Sequence, residues 1–366
     1  MGYEIDFLPV GDESKGGDAI ALRYGNLFGS RDEQVVMVVD GGYTDDGEAL
    51  VRHIREHYGT DRVDIVVSTH PDQDHITGLK IVLEELKVGA LLMHQPWKHS
   101  GTVSEARKTA FQSRGLKERV EKSLQAASEL EAIAQRRGVQ IIEPFAGVQL
   151  KTTAGVFRVL GPSQEYYEEL LAKEQAPVVA ATASSVLQEF LRKAAAGIVK
   201  LLEENLHIET LRDDGETTPT NNSSAISLLT VDDQQLLLTG DAGIPALEQA
   251  MTVLEAEGFR PGSFRFVQVP HHGSRRNVGP SILNRMLGPK GQTTQHSSAF
   301  VSVPKKNPEH KFPAKKVTNA FYRRGYSVSV TQGQSICYKD DAPARDGWTA
   351  LTPLPFYEKV EEDSGT

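Results

Sequence analysis

The sequence predicts an α/β protein, and three observations carry that expectation. Short apolar runs recur along the chain, as at Val35–Val39, Val63–Val67, Leu236–Leu238, Phe266–Val269 and Ala299–Val303. Each has the length of a buried strand. Segments with helical spacing stand between them, as at Asp45–Tyr58, Leu79–Leu86 and Pro245–Glu257, and such alternation is the pattern of mixed strand and helix layers. Several of the runs also end in His or Asp, which places reactive side chains at strand ends.

Taken in order, Tyr3 to Val10 alternates and reads as a first strand, and Gly16-Gly17-Asp18-Ala19-Ile20-Ala21-Leu22 gives a turn and a second. Val35 to Val39, ending in Asp40-Gly41-Gly42, is continuously apolar, as a strand buried on both faces would be. Asp45 to Tyr58 reads as a helix. Val63 to Val67 is a strand that leads into Ser68-Thr69-His70-Pro71-Asp72-Gln73-Asp74-His75-Ile76-Thr77-Gly78-Leu79, and a helix follows. Ala90 to Met93 is a short strand; His94 and His99 flank the turn after it and read as structural or exposed. Glu105 to Arg137 has helical spacing through Leu116, Val120, Leu124, Ala127 and Ile133, and Gly138 ends it. Gln149 to Leu160 reads as a β-hairpin about Ala154-Gly155. Helix formers then fill Tyr166–Lys173 and Ser184–Leu206. Strands are expected at Ala225–Leu229, Gln235–Leu238, Phe266–Val269 and Ala299–Val303, helices at Pro245–Glu257 and Lys315–Arg324. Tyr326–Val330 and Ser335–Tyr338 are expected to form a last hairpin. The tail after Asp340 is rich in Pro and acids and is expected to be partly flexible.

Composition narrows the classes. The 366 residues are 39% hydrophobic, enough for a packed core, and carry a net charge of −9. No apolar run reaches the roughly 18 residues of a membrane span. No basic and then apolar leader opens the sequence, so a cytoplasmic protein is expected. Cys337 is the single cysteine, which excludes an internal disulfide and any tetrathiolate zinc site. The charge is segregated: residues 258–330 hold thirteen Lys and Arg against one acid, Glu309, so the rest of the chain carries −21. A basic segment of this size favours an anion-binding face.

The chemistry concentrates in the strand-to-helix loop. His70, Asp72, Asp74 and His75 lie within six residues, and imidazole with carboxylate suits zinc, manganese or iron. This stretch resembles the H-x-H-x-D-H motif of the metallo-β-lactamase superfamily, and more closely the H-P-D-x-D-H-x-x-G-L form in the hydrolase domain of ComEC-type bacterial DNA-uptake competence proteins. Thr239-Gly240-Asp241 and Pro270-His271-His272-Gly273-Ser274 match further motifs of that type, and the resemblance covers residues 3–162 and 217–339. It implies an αββα sandwich, here as one hydrolase domain over residues 1–340 with a helical insertion at 164–216 that would select substrate or dock a protein partner, and an acidic tail over 341–366. It also implies two divalent cations, zinc or manganese. His70, Asp72 and Asp241 would hold one, and Asp74, His75, Asp241 and His272 the other. Asp40 would support the loop from behind. His271 is the alternative to His272 as ligand, and Asn222, in the Asn221-Asn222-Ser223-Ser224 stretch where most of the superfamily has a third histidine, is a supporting or alternative ligand. Asp74 would orient the attacking water, and His310 would contact a phosphate or protonate a leaving group.

With the basic segment beside such a site, a phosphodiesterase or nuclease acting on nucleic acid or a nucleotide is expected. Arg275, Arg276, Lys305 and Lys306 are the candidate phosphate contacts. Two other classes remain open: a hydrolase of a carbonyl substrate such as a lactone, thioester or peptide, which has no use for a basic face, and a non-catalytic subunit of a multiprotein system.

Overall fold

The computed structural model describes residues 1–12, 16–99, 114–175, 201–291, 297–306 and 312–361. β1 (Gly2–Phe7), β2 (Ala19–Gly25), β3 (Gln34–Gly41), β4 (Arg62–Val67), β5 (Lys87–Leu92), β6 (Gln140–Ile142) and β15 (Ile336–Asp340) form one seven-stranded sheet of order β15-β1-β2-β3-β4-β5-β6. β7 (Gln149–Thr152), β8 (Gly155–Gly161), β10 (Ile226–Val231), β11 (Gln234–Leu238), β12 (Phe264–Gln268), β13 (Ser297–Val301) and β14 (Tyr326–Val330) form a second, of order β14-β13-β12-β11-β10-β8-β7. β3 to β6 run parallel, as do β11 to β14.

Three apolar layers hold this together. The inner faces of the two sheets meet through Phe7, Ile20, Val39, Phe157, Leu229, Leu238, Phe266 and Phe300. Phe7, Phe266 and Phe300 stack edge to face with centroids 5.2–6.0 Å apart. The outer face of the first sheet is covered by the helices Thr44–His57, Leu79–Glu85 and Arg114–Arg136, through Leu50, Ile54, Leu83 and Leu130. The outer face of the second is covered by Ile244–Ala256, Pro280–Leu287 and Lys315–Arg323, through Leu247, Met251, Leu283 and Phe321. This is the expected αββα sandwich. β3 is apolar throughout because both of its faces are covered.

Two local expectations are corrected. Tyr326–Val330 and Ile336–Asp340 do not form a hairpin. β14 edges the second sheet beside β13, whereas β15 edges the first beside β1, so residues 331–335 carry the chain from one layer to the other. A period-2 pattern on either side of a Gly-containing turn marks two strands and says nothing about which sheet each joins. The helix expected over 184–206 lies outside the described residues up to 200, and its end is a strand instead: β9 (Leu201–Glu203) pairs antiparallel with β16 (Lys359–Glu361) from the tail. The first helix of that region is present at Gln164–Gln175, and the long helix before β6 is described from Arg114. Among the described residues no helix is long and apolar enough to cross a membrane.

The register sets the site. Val39 pairs with Val67 and Leu237 with Val267, so the residues following β3, β4, β11 and β12 emerge together at the C-terminal ends of the parallel strands. Crevices at such ends are where ligands bind in parallel sheets.

Candidate metal centre

Asp40, at the end of β3, is fully buried and spends its carboxylate on the loop after β4. Its Oδ1 accepts the Thr69 N–H at 2.8 Å, and its Oδ2 accepts the Thr69 hydroxyl at 2.6 Å and faces His75 Nδ1 at 2.8 Å. That third contact leaves the Nε2 of His75 facing the cleft. Behind a ligating imidazole, a carboxylate fixes ring orientation and tautomer in this way. The loop itself is a turn of helix, Gln73–Ile76, entered from Asp72. Its His75 is buried, while the side chains of Asp74 and Asp72 are 30% and 19% exposed at the cleft.

The two sheets bring their ligand-type residues face to face. His75 Nε2 lies 3.6 Å from Asp241 Oδ2 and 4.0 Å from Asp74 Oδ2; His70 Nε2 lies 3.8 Å from Asp241 Oδ2 and 3.9 Å from Asp72 Oδ2. His272 Nδ1 meets the Ser302 carbonyl at 2.9 Å, which fixes its ring, and donor atoms of Asp74, His75 and His272 lie within 4.8 Å of one another. His70 Nδ1 faces Thr69 Oγ1 at 3.0 Å and Ser224 Oγ at 3.3 Å, and the same Ser224 hydroxyl accepts the Asp241 N–H at 3.1 Å.

The donor set fits a divalent cation. His70 Nε2, His75 Nε2 and Asp241 Oδ1 are buried with no hydrogen-bond partner among the described residues, and buried polar atoms left in that condition are rare and costly. Cations held at about 2.0–2.2 Å by imidazole and carboxylate would satisfy them. The electrostatics agree. Burial alone disfavours the charged form of His75, yet Asp241, Asp40 and Asp74 lift its pKa well above the ordinary value. Burial alone would raise Asp241, but His271, His75, His70 and His272 hold it below the usual carboxylate range. Backbone strain gathers here too: Asp40, His271 and His272 have φ of 55°, 46° and 55°, a region that costs a non-glycine residue about 1 kcal/mol or more.

The remaining expected residues are placed as follows. His271 lies 3.2 Å from Asp241 Oδ2 through Nδ1, which also meets the side-chain amide of Asn221, and burial lowers its pKa. Asn222 turns away: its Oδ1 accepts the Gly243 N–H at 3.1 Å and its amide reaches the Thr217 carbonyl. Arg276 is exposed and Arg275 half-buried in the turn after His272. Lys305 and Lys306 are exposed, with backbone N–H groups 3.2 Å from Gly11 O and Asp12 O. His310 lies outside the described residues.

The sequence reading missed Asp18. It is buried, with Oδ2 3.9 Å from His75 Nδ1, and donor atoms of Asp18, His75 and Asp241 lie within 4.8 Å of one another. The sequence reading marked it only as part of the turn Gly16-Gly17-Asp18-Ala19 before an apolar strand, with no role at the site. Asn221, Ser224 and Thr69 stood inside singled-out stretches but were given no role, and Gln268 was read only as part of a strand.

A family model described as the metallo-beta-lactamase superfamily matches residues 27–289. No curated protein matches the chain. Among solved structures, a diphosphatase from the PhnP family is similar at 12% identity over 93% of this chain and 98% of that one, with a TM-score of 0.41. The metallo-beta-lactamase fold protein YhfI from Bacillus subtilis is similar at 8% identity over 93% and 99%, with a TM-score of 0.39. A variant of the CmlA beta-hydroxylase is similar at 11% identity over 91% and 53%, with a TM-score of 0.42. At these scores the likenesses carry no argument about activity.

Proposed function

Since the chain belongs to the metallo-β-lactamase superfamily, we infer that it is a metal-dependent hydrolase of phosphodiesters, with nucleic acid or a nucleotide as substrate. One observation carries the metal part. Among the described residues, the ion-pair partners of Asp18, Asp40, Asp72, Asp74 and Asp241 are all histidines. Elsewhere in the protein the buried carboxylates Glu4, Asp6, Glu204 and Glu209 are each paired with an arginine. Five carboxylates around three buried, unpartnered donor atoms need positive charge from outside the chain.

Two divalent cations, zinc or manganese, suit this set. When bound they would lower the pKa of a water toward neutrality and offset charge building on the attacked group. In this reading His70, Asp72 and Asp241 hold one, and Asp74, His75, Asp241 and His272 the other. The oxygen-rich first position favours manganese or mixed occupancy over zinc alone. Asp40 orients His75. Asp74, partly open to the cleft, accepts a hydrogen bond from the attacking water and aims it. The neutral His271, beside Asp241, faces substrate. The basic residues after His272 and β13, namely Arg275, Arg276, Lys305 and Lys306, meet substrate phosphates, and His310, outside the described residues, is assigned to contact a phosphate or protonate a leaving group. Within residues 258–330, Arg285, Arg323 and Arg324 are spent on Glu255, Glu204 and Glu209, so the support for a phosphodiester over a carbonyl substrate comes from the exposed Arg276 and Lys305 near the centre.

Finer assignments extend the proposal. The H-P-D-x-D-H and P-H-H-G-S motifs favour the competence-type hydrolase branch. The segment 164–216, described over 164–175 and 201–216, is assigned to substrate selection or to docking a protein partner. A cytoplasmic location fits the lone cysteine.

The test joins metal analysis to cleavage. Wild type and Asp74→Ala are assayed for bound metal and incubated with single- and double-stranded DNA, RNA and a generic diester, with manganese or zinc. Cleavage by the wild type, reduced about 100-fold or more in the variant, is expected. Bound metal without cleavage of any diester would move the substrate to a carbonyl compound. A wild type that binds no metal would end the mechanism.

A further inference from the structure

We propose that Asp18 and Gln268 form a clamp that holds the two halves of the metal centre in register, with the charge of Asp18 serving the cations from outside the two ligand loops. This rests on the metal-centre reading above.

The geometry is closed on every side. Gln268 is buried at the end of β12, and its Oε1 accepts two backbone N–H groups, Thr239 at 2.9 Å and Gly240 at 3.0 Å. Two donors on one atom fix the orientation of the amide, so Nε2 must point the other way. There it donates to Asp18 Oδ2 at 2.9 Å. The Gln268 carbonyl accepts the Thr239 hydroxyl at 3.1 Å. One side chain thus ties the strand end that bears Asp241 to the turn that bears Asp18.

Asp18 is tied in turn to the first sheet. Its N–H donates to Asp74 O at 3.3 Å and its carbonyl accepts the Gly42 N–H at 2.7 Å. The turn is a wedge between the two ligand groups. A Cβ on Gly17 would stand 2.0 Å from Asp74 O, and one on Gly16 would stand 3.5 Å from His272 Nδ1. Only glycine at 17 allows the close approach. His70, Asp72, Asp74 and His75 come from one sheet and Asp241 and His272 from the other. The spacing of the cation positions is therefore the spacing this wedge and clamp impose.

The hydrogen bonding alone does not need a carboxylate. An asparagine oxygen would accept the Gln268 amide equally well, and it would spare the protein a buried charge with no Lys or Arg partner among the described residues. A merely structural Asp18 would thus be improved by Asp18→Asn. A carboxylate that serves cations would not.

The experiment uses that split. Full-length wild type and Asp18→Asn are stripped with chelator, melted, then titrated with Mn²⁺ by calorimetry and read by electron paramagnetic resonance. The metal-free variant is expected to melt no lower than the wild type. It should bind Mn²⁺ 10- to 100-fold more weakly, with the spin-coupled signal of a two-manganese site giving way to that of isolated Mn²⁺. Gln268→Asn, which keeps an amide and shortens its reach, should weaken binding likewise with an unchanged circular dichroism spectrum. Wild-type Mn²⁺ affinity and coupling in either folded variant overturns the clamp while leaving the metal centre standing. A wild type that binds no Mn²⁺ overturns both.

Discussion

Burial decides the behaviour of His94. The ring sits just beyond β5, stacked on Tyr167 at 4.3 Å and 18° and lying 5.0 Å from Phe145. Removal from water disfavours its charged form, His99 adds to this, and the pKa is pushed down to about 3. In the unfolded chain the same ring titrates near its ordinary value of about 6.5. The folded value is the lower one, so the unfolded state binds more protons between the two. Stability contributed by the neutral ring is whole above about pH 6.5 and is lost as pH falls, by at most about 1.4 kcal/mol per unit. His94→Phe removes this dependence. Between pH 7 and 4.5 its unfolding free energy, from denaturant titration, should fall about 2 kcal/mol less than that of the wild type; an equal fall would show that His94 titrates normally. Neighbours in sequence separated the core ring from the candidate ligands, though not how deeply His94 is buried. His70 and His75 announced themselves because carboxylates stand between them in six residues. His94 and His99 had no such company.

At the scale of elements, one side chain from the tail closes over the outward face of β1. β1 alternates as its sequence suggests: Tyr3, Ile5 and Phe7 face the inner core, and Glu4 and Asp6 face outward. Yet Glu4 and Asp6 are fully buried, because Arg345 from the tail covers them, donating to Asp6 at 2.7 and 2.9 Å and to Glu4 at 2.7 Å. Arg23 pairs with Glu4 at 2.7 Å, and Tyr58 donates to Asp6 at 2.5 Å. Removing one partner from a buried ionic group strands the other, so Arg345→Ala should cost about 3 kcal/mol of unfolding free energy, measured by chemical denaturation. A loss below about 1 kcal/mol would mean the group is solvated as a surface pair is. The sequence marked the outward face of β1 as polar, which it is. It could not show that a segment more than three hundred residues away would close over it. The same holds for β9 and β16, each three residues long and meaningful only as a pair.

At the scale of the molecule, charge segregation would steer an anionic substrate. Residues 258–330 carry a surplus of twelve positive charges in a chain of net −9. Their exposed members Arg276 and Lys305 stand on segments that follow His272 and β13. If these two residues meet phosphates, Arg276→Glu with Lys305→Glu should make binding of single-stranded DNA less dependent on salt. The slope of log K against log salt should shrink by about 0.7 for each phosphate no longer neutralised. Titrations at several salt concentrations with metal-loaded protein read this directly, and an unchanged slope would remove both residues from the interface.

The sequence by itself determined the layers and singled out most of the residues that gather at the candidate centre. Strand and helix periods are local properties, and motifs such as His70 to His75 bring several donors together within one loop. The end of β11 with Asp241 and the end of β12 with His271 and His272 were legible for the same reason. Tertiary structure alone decided the rest. Register between parallel strands set Asp40 beside Thr69 and turned His75 toward the cleft. The crossing from β14 to β15 took the last strand to the opposite sheet. Asp18 meets Gln268, 250 positions away, beside the centre, and the Gln268 amide donates to its carboxylate. A single carboxylate in a glycine turn has no period and no neighbouring partner to give it meaning. Its role depends on distances between elements, and those are settled when the two sheets pack.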